Sequence, residues 1–300
     1  VRKHYFCLAF TVCCVVRGDN VILGSGSTSN HIPIAPGQIL TFTVEGVGAS
    51  LTQTVSAGSL PLPTKLAGIS VDLDQYLTTG TAVFHLPIVT VAPIACVFNG
   101  VSNCPPVTAI TAQIPYEINV SAAASAAGQI IVSENGVAGS PISALPATDQ
   151  IQIVAVVHAA DWSQVGGFNP ATSGENLVAF AYGLGAVQPS APTGGAAPNP
   201  PAIPTGQLRL SYDVRPNVPP WAYGAAATLP AIQPSFVGLT PGFPGLYQIN
   251  FQAPPITNPN FAPCVQLEVP PNIVFNSNVT LNLLGPSSSG GFGICMIAQP

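Results

Sequence analysis

Residues 245–254, GLYQINFQAP, alternate strictly: Tyr247, Ile249 and Phe251 are apolar, and Gln248, Asn250 and Gln252 are amides. A period of two sends the apolar set to one face of a β-strand and the amides to the other. Pro254 lacks the N–H that would extend the ladder, so the strand stops there. Residues 109–117, AITAQIPYE, repeat the pattern. Ile110, Ala112 and Ile114 are predicted inward, Thr111 and Gln113 outward, and Pro115 is the stop.

The echo extends further. PGQILTFTVEGVGA (36–49) aligns without gaps to SGENLVAFAYGLGA (173–186), placing Gly37, Gly46, Gly48 and Ala49 over Gly174, Gly183, Gly185 and Ala186. ISVDL (69–73) matches LSYDV (210–214). Three landmarks in one order, at offsets of 137 to 141, describe a duplicated unit. The paired glycines after each strand predict turns at positive φ, which glycine adopts without a Cβ clash.

Many short strands between Pro, Gly and Asn turns predict an all-β chain of two tandem immunoglobulin-like sandwiches. The expected boundaries are 33–146 for the first domain and 147–300 for the second, preceded by an extended segment at 19–32. The proline-rich stretch QPSAPTGGAAPNPPAIP (188–204) falls inside the second copy and reads as a long surface loop, not a linker.

The outward positions of the copies differ. Thr41, Thr43 and Glu45 form a polar face in the first, where Val178, Phe180 and Tyr182 stand in the second. Leu177, Ala179 and Ala181 already supply that strand's core face, so it is apolar on both sides and needs two covers. Val178, Phe180 and Tyr182 are therefore candidate interface residues, against the first domain, the 188–204 loop or another molecule. A thicker core within their own sandwich is the alternative.

Composition narrows the function. Charged residues are 6% of the 300, against about 25% in ordinary soluble domains, and the chain holds 33 Pro and 29 Gly. At the N-terminus, VRKH followed by the apolar run 5–16 resembles an export signal, with cleavage expected before Asp19 (1–18 removed). Lys65, Arg209 and Arg215 are then the remaining fixed cations, too few and too scattered for a nucleic-acid surface. The expected location is secreted or at the cell surface, with no membrane contact after signal removal.

Cys7, Cys13 and Cys14 leave with the signal, and Cys96, Cys104, Cys264 and Cys295 remain. An even count in an exported chain predicts disulfides. Of three pairings, Cys96–Cys104 with Cys264–Cys295 keeps each bond within one copy. Their loops would contribute roughly 2.5 and 3.5 kcal/mol by chain entropy. No histidine stands at ligand spacing from them, which disfavours a metal site.

GQILTFTVEGVGA, LPTKLAGISVDL, AQIPYEI, NPATSGENLVAFAYGLGAV and GLTPGFPGLYQINFQAP together resemble the Solibacter-type uncharacterised C-terminal domain, an extracellular repeat related to IPT/TIG immunoglobulin-like modules. The resemblance spans residues 33–300 and is fullest in the second copy. In the first, Ala109-Ile110-Thr111 stands where the usual Gln-Ile-Asn would be. It implies an extracellular sandwich repeat and brings no catalytic residues.

The chemistry-bearing residues are sparse. The four histidines (His4, His31, His85, His158) fit no metalloprotease, nucleophile-elbow or phosphate-loop motif. His158 and Asp161, with serines nearby, read as a turn between strands in preference to part of a triad. Asp72 and Asp74, at i and i+2 on one strand face, are a weak Ca²⁺ candidate against a solvated strand end. Trp162, Trp221 and Tyr223 suggest an aromatic platform for a glycan, with Trp221 and Tyr223 sharing a face. The expectation is a non-enzymatic structural protein without a cofactor. Its partners would be proteins, including further copies joined by β-strand addition into a filament through the 19–34 segment. A carbohydrate-binding or adhesive module is the alternative.

Overall fold

The computed structural model describes residues 21–24, 31–95, 106–120, 127–214, 229–256, 261–269 and 272–297. Residues 1–20, with the expected signal and its cysteines, lie outside the described residues, as do Cys96, Cys104, Trp221 and Tyr223. Among the described residues every regular element is a strand.

The first half is two facing sheets. One orders Val21–Gly24, Ile39–Glu45, Val107–Gln113, Ile88–Ile94 and Val55–Ser56; the other orders His31–Ile34, Ile142–Pro146, Gly128–Glu134, Ile69–Leu77 and Lys65–Leu66. The second half repeats this plan with Gln152–His158, Asn176–Tyr182, Tyr247–Gln252 and Phe236–Leu239 opposite Ala231–Ile232, Arg209–Asp213, Val279–Leu284 and Ser289–Ile294. Each half also has one parallel pair, His31–Ile34 with Ile142–Pro146 and Ala171–Thr172 with Met296–Ile297. Even the register is shared. Ile39 faces Gln113 in the first half, and their counterparts Asn176 and Gln252 face each other in the second. The fold is two immunoglobulin-like sandwiches in tandem.

The alternating patterns place the cores. Ile110, Ala112 and Ile114 are buried in a cluster running from Ile32 to Ala144. Leu177, Ala179, Ala181, Tyr247, Ile249 and Phe251 are buried in a second, from Ile151 to Met296. Each fully buried large apolar side chain stabilises by about 1.5–3 kcal/mol. The glycine turns match expectation: Gly46, Gly48, Gly183 and Gly185 have φ of 88°, 73°, 74° and 89°. A Cβ on Gly183 would also overlap the Gln150 carbonyl, so two constraints require glycine there. The Cys264–Cys295 disulfide ties the strand at Val265–Val269 to the end of the last sandwich strand, with Cα atoms 5.7 Å apart.

Two expectations change. The N-terminal segment is not a free donor strand: Val21–Gly24 pairs antiparallel with Ile39–Glu45, and His31–Ile34 pairs with Ile142–Pro146. The sandwich satisfies these strand edges with its own chain. Gln113 does not face solvent; it is 0% exposed. Its cover comes from the 188–204 stretch, a loop with buried as well as exposed positions. Closed at its base by Val187–Gln188 pairing with Ile203–Pro204, it buries Ala191, Ala197 and Ala202.

The tip of that stretch straps the halves together. The Gly194 N–H donates to Gln113 Oε1 at 2.6 Å, and the Leu62 N–H donates to the Gly194 carbonyl at 2.7 Å. Thr193 Oγ1 accepts from the Tyr116 N–H at 3.0 Å and donates to Glu117 Oε2 at 2.6 Å. Tyr116 belongs to the first half but packs on the second core, and burial pushes its phenol up to about 12. Gly37 and Gly245 meet so closely that a Cβ on Gly245 would overlap the Gly37 carbonyl.

Candidate functional site

The outer face of the Gln152–His158, Asn176–Tyr182 and Tyr247–Gln252 sheet carries the side chains without a counterpart in the first half. Val178, Phe180 and Tyr182 reach three surroundings. Val178 is 3% exposed at the floor of a groove. Phe180 lies under the Trp162 indole, with ring centroids 6.3 Å apart and planes 28° from parallel. Tyr182 lines an apolar cavity of about 160 Å³ between the halves, together with Ile39, Leu60, Leu62 and Val89 of the first.

Trp162 sits at the tip of the turn after Gln152–His158, and a hydrogen-bond network builds that turn. The Trp162 N–H donates to the His158 carbonyl at 3.0 Å, and the His158 N–H donates to the Ser163 carbonyl at 2.9 Å. Asp161 Oδ1 accepts from the Ser163 N–H at 2.9 Å and its hydroxyl at 2.6 Å, and Asn169 Nδ2 donates to that hydroxyl at 2.8 Å. Trp162 itself has φ of +62°, in the left-handed region. Its indole is 59% exposed, and Phe168 nearby in sequence is 75% exposed.

His158 anchors the base of the network. Its Nδ1 lies 2.5 Å from Glu175 Oε1, and its Nε2 lies 3.2 Å from the Asn169 carbonyl. Glu175 Oε2 accepts from the Thr172 N–H at 2.9 Å and the Thr172 hydroxyl at 3.0 Å. Burial opposes charge on His158, but the Glu175 carboxylate, the Asn169 carbonyl and the field of Asp161 outweigh it and raise its pKa. Burial likewise opposes the Glu175 carboxylate, and its bonds to His158 and Thr172 prevail to lower its pKa. With both ring nitrogens engaged and Ser163 bonded to Asp161, the cluster pairs no nucleophile with a base. It shapes a loop.

Sequence reading paired His158 with Asp161 and missed Glu175, which stands 17 residues away. A signal existed. Glu175 aligns with Gln38, and the two side chains cap the same backbone: Gln38 Oε1 accepts from the Ala35 N–H as Glu175 Oε2 does from Thr172. A carboxylate replacing an amide inside a shared cap marks a second partner.

The groove beside the turn has a volume of about 310 Å³ and is lined by Ala159, Asn176, Leu177, Val178, Ser235, Asn250 and Phe251. Gln248 Nε2 donates to Asn250 Oδ1 at 2.7 Å, and Ser235 Oγ donates to the Asn250 carbonyl at 3.2 Å.

The remaining candidates stand apart. Asp72 and Asp74 share a face of Ile69–Leu77, with Asp72 Oδ1 2.6 Å from His85 Nδ1 and Asp74 Oδ2 accepting from Gln129 Nε2 at 3.4 Å. Among the described residues no three His, Cys, Asp or Glu side chains converge as metal ligands. None of the described residues forms a helix long and apolar enough to cross a membrane.

No family model and no curated protein matches the chain, so the Solibacter-type resemblance is carried by its motifs alone. Among solved structures, the C-terminal domain of the Streptococcus agalactiae AgI/II polypeptide BspA aligns at 10% identity over 93% of this chain and 98% of that one, with a TM-score of 0.16. A BspA C-terminal mutant aligns at 9% identity over 92% and 96%, with a TM-score of 0.18. Superpositions this loose carry no argument about the site.

Proposed function

We propose that this protein is an exported surface module that adheres through the Trp162 face of its second sandwich, with the first sandwich as a rigid support. The observation behind this reading is two exposed aromatics, Trp162 and Phe168, on successive turns of one loop held by side-chain hydrogen bonds. Large exposed aromatics on an ordered turn supply contact area at little entropic cost on binding. Sparse charge suits close apposition, because few ions need desolvating. The strap at Thr193 and Gly194 suits a load-bearing support, since it holds one half against the other.

The test is retention under flow of beads carrying the exported chain, on cells or matrix from the producing organism. A Trp162→Ala/Phe168→Ala variant is expected to lose most retention with its melting temperature unchanged. Undiminished retention would refute the reading.

A further inference from the structure

We propose that the groove beside Trp162 binds a neutral oligosaccharide. The inference rests on the adhesive reading above and names the ligand class of the same face. A pyranose presents C–H bonds on one face and hydroxyls around its rim. An indole plane matches the first, and amides, which both donate and accept, match the second. Trp162 offers the plane, with Phe180 beneath it fixing the ring. Asn176, Ser235 and Asn250 line the adjoining groove, and among the described residues its lining has no ionisable side chain. Asp161, the carboxylate beside Trp162, is turned into its own loop by Ser163. That absence of charge selects a neutral polar ligand over a peptide acid, a phosphate or a cation. The groove's volume of about 310 Å³ lies at the small end of the roughly 300–1,000 Å³ typical of ligand clefts.

The backbone argues independently. The left-handed region is unfavourable for a bulky residue, whose Cβ crowds the backbone there. An indole left 59% exposed recovers little of that through burial. The turn nevertheless holds Trp162 at φ +62° through the Asp161, Ser163 and Asn169 bonds. Strain kept on a solvent-facing aromatic is explained by presentation to a ligand. The matching positions of the first half differ: where Val178 and Asn250 stand in the second, Thr41 and Thr111 meet hydroxyl to hydroxyl at 2.8 Å.

Trp162 and Trp221 are the two tryptophans, so Trp221→Phe leaves Trp162 as the single indole reporter. This full-length variant is titrated with cellotetraose, maltotetraose, laminaritetraose and xylotetraose by fluorescence, with calorimetry on the unsubstituted chain. At least one sugar is expected to give saturable binding with a Kd on the order of 0.1–1 mM. Trp162→Ala should abolish it and Asn250→Ala weaken it about tenfold, both with melting temperatures unchanged. Silence from all four sugars, or binding that survives Trp162→Ala, overturns the proposal. If sugars fail while Trp162→Ala/Phe168→Ala still abolishes bead retention, the ligand is a protein and the adhesive reading stands without the sugar. Sugar binding with retention unaffected by that pair sinks the adhesive reading alone.

Discussion

The two sandwiches share a strand plan and a register, yet their central sheets turn different outer faces to the world. In the first, Thr41 and Thr111 bond each other in solvent. In the second, the matching strand carries Val178 under a groove, Phe180 under an indole and Tyr182 against its neighbour. The inner faces stayed apolar in both. Duplication therefore preserved what folding needs, the buried alternate positions, and released the other alternate positions for contact. Period-two geometry makes this separation possible, because a change on one face leaves the other untouched.

The sharpest way to break the shared plan lies where the halves solve one problem with different residues. Tyr247 donates to the Gly185 carbonyl at 2.5 Å, and Thr108, its counterpart, donates to the Val47 carbonyl at 2.8 Å. Both side chains pin the glycine turn to the strand. Tyr247→Ala is expected to cost about 3–5 kcal/mol in chemical denaturation, because it also opens a cavity. Thr108→Val should cost about 1 kcal/mol, the loss of one hydrogen bond at constant volume. Equal costs would show that the turn bond dominates and the core does not.

Next in size is the strap. Thr193→Val removes the acceptor of the Tyr116 N–H and the donor to Glu117, an expected loss of about 1–3 kcal/mol. Calorimetry is expected to show one transition for the unsubstituted chain and two for the variant, one per sandwich. One sharp transition in the variant would mean that apolar packing at Tyr116 alone couples the halves.

A smaller effect distinguishes the two caps by pH. His158 has a raised pKa, so its contribution is complete below its ordinary value of 6.5 and fades as pH climbs through the folded value. Glu175 has a lowered one, so its contribution is complete above 4.5 and fades as pH falls through the folded value. The pair stabilises most between about 4.5 and 6.5. Glu175→Gln, which restores the first-half residue, should flatten the melting temperature across that window. A profile unchanged by the substitution would remove the pair from the account. The smallest effect is at the solvated face, where Thr41→Val should move stability by no more than about 0.5 kcal/mol.

How much of this was legible in the sequence follows from the range of each interaction. Tyr247, Ile249 and Phe251 announced their faces because alternation is local. Gly46 and Gly183 announced their turns because φ is a property of one residue. Gln113 did not announce its burial: alternation placed it outward correctly, but its cover comes from Gly194. Glu175 was hidden for a similar reason, since strand pairing, not spacing, brings it to His158. The proposed contact face falls between these cases. Its apolar outer positions were readable as an excess, while the groove formed with Ser235 and the presented indole required the assembled sheet.

The contact of Gln113 with Gly194 joins positions 81 residues apart and bears on how the chain is made. A ribosome delivers the first sandwich well before the strap, and early domains ordinarily fold as they emerge. Until Gly194 arrives, the Gln113 amide of the newborn half faces water, and the strap later replaces that hydration. Closing the seam between the halves therefore waits on later synthesis, and a product ending before Thr193 is expected to leave Gln113 and the Tyr116 N–H to water.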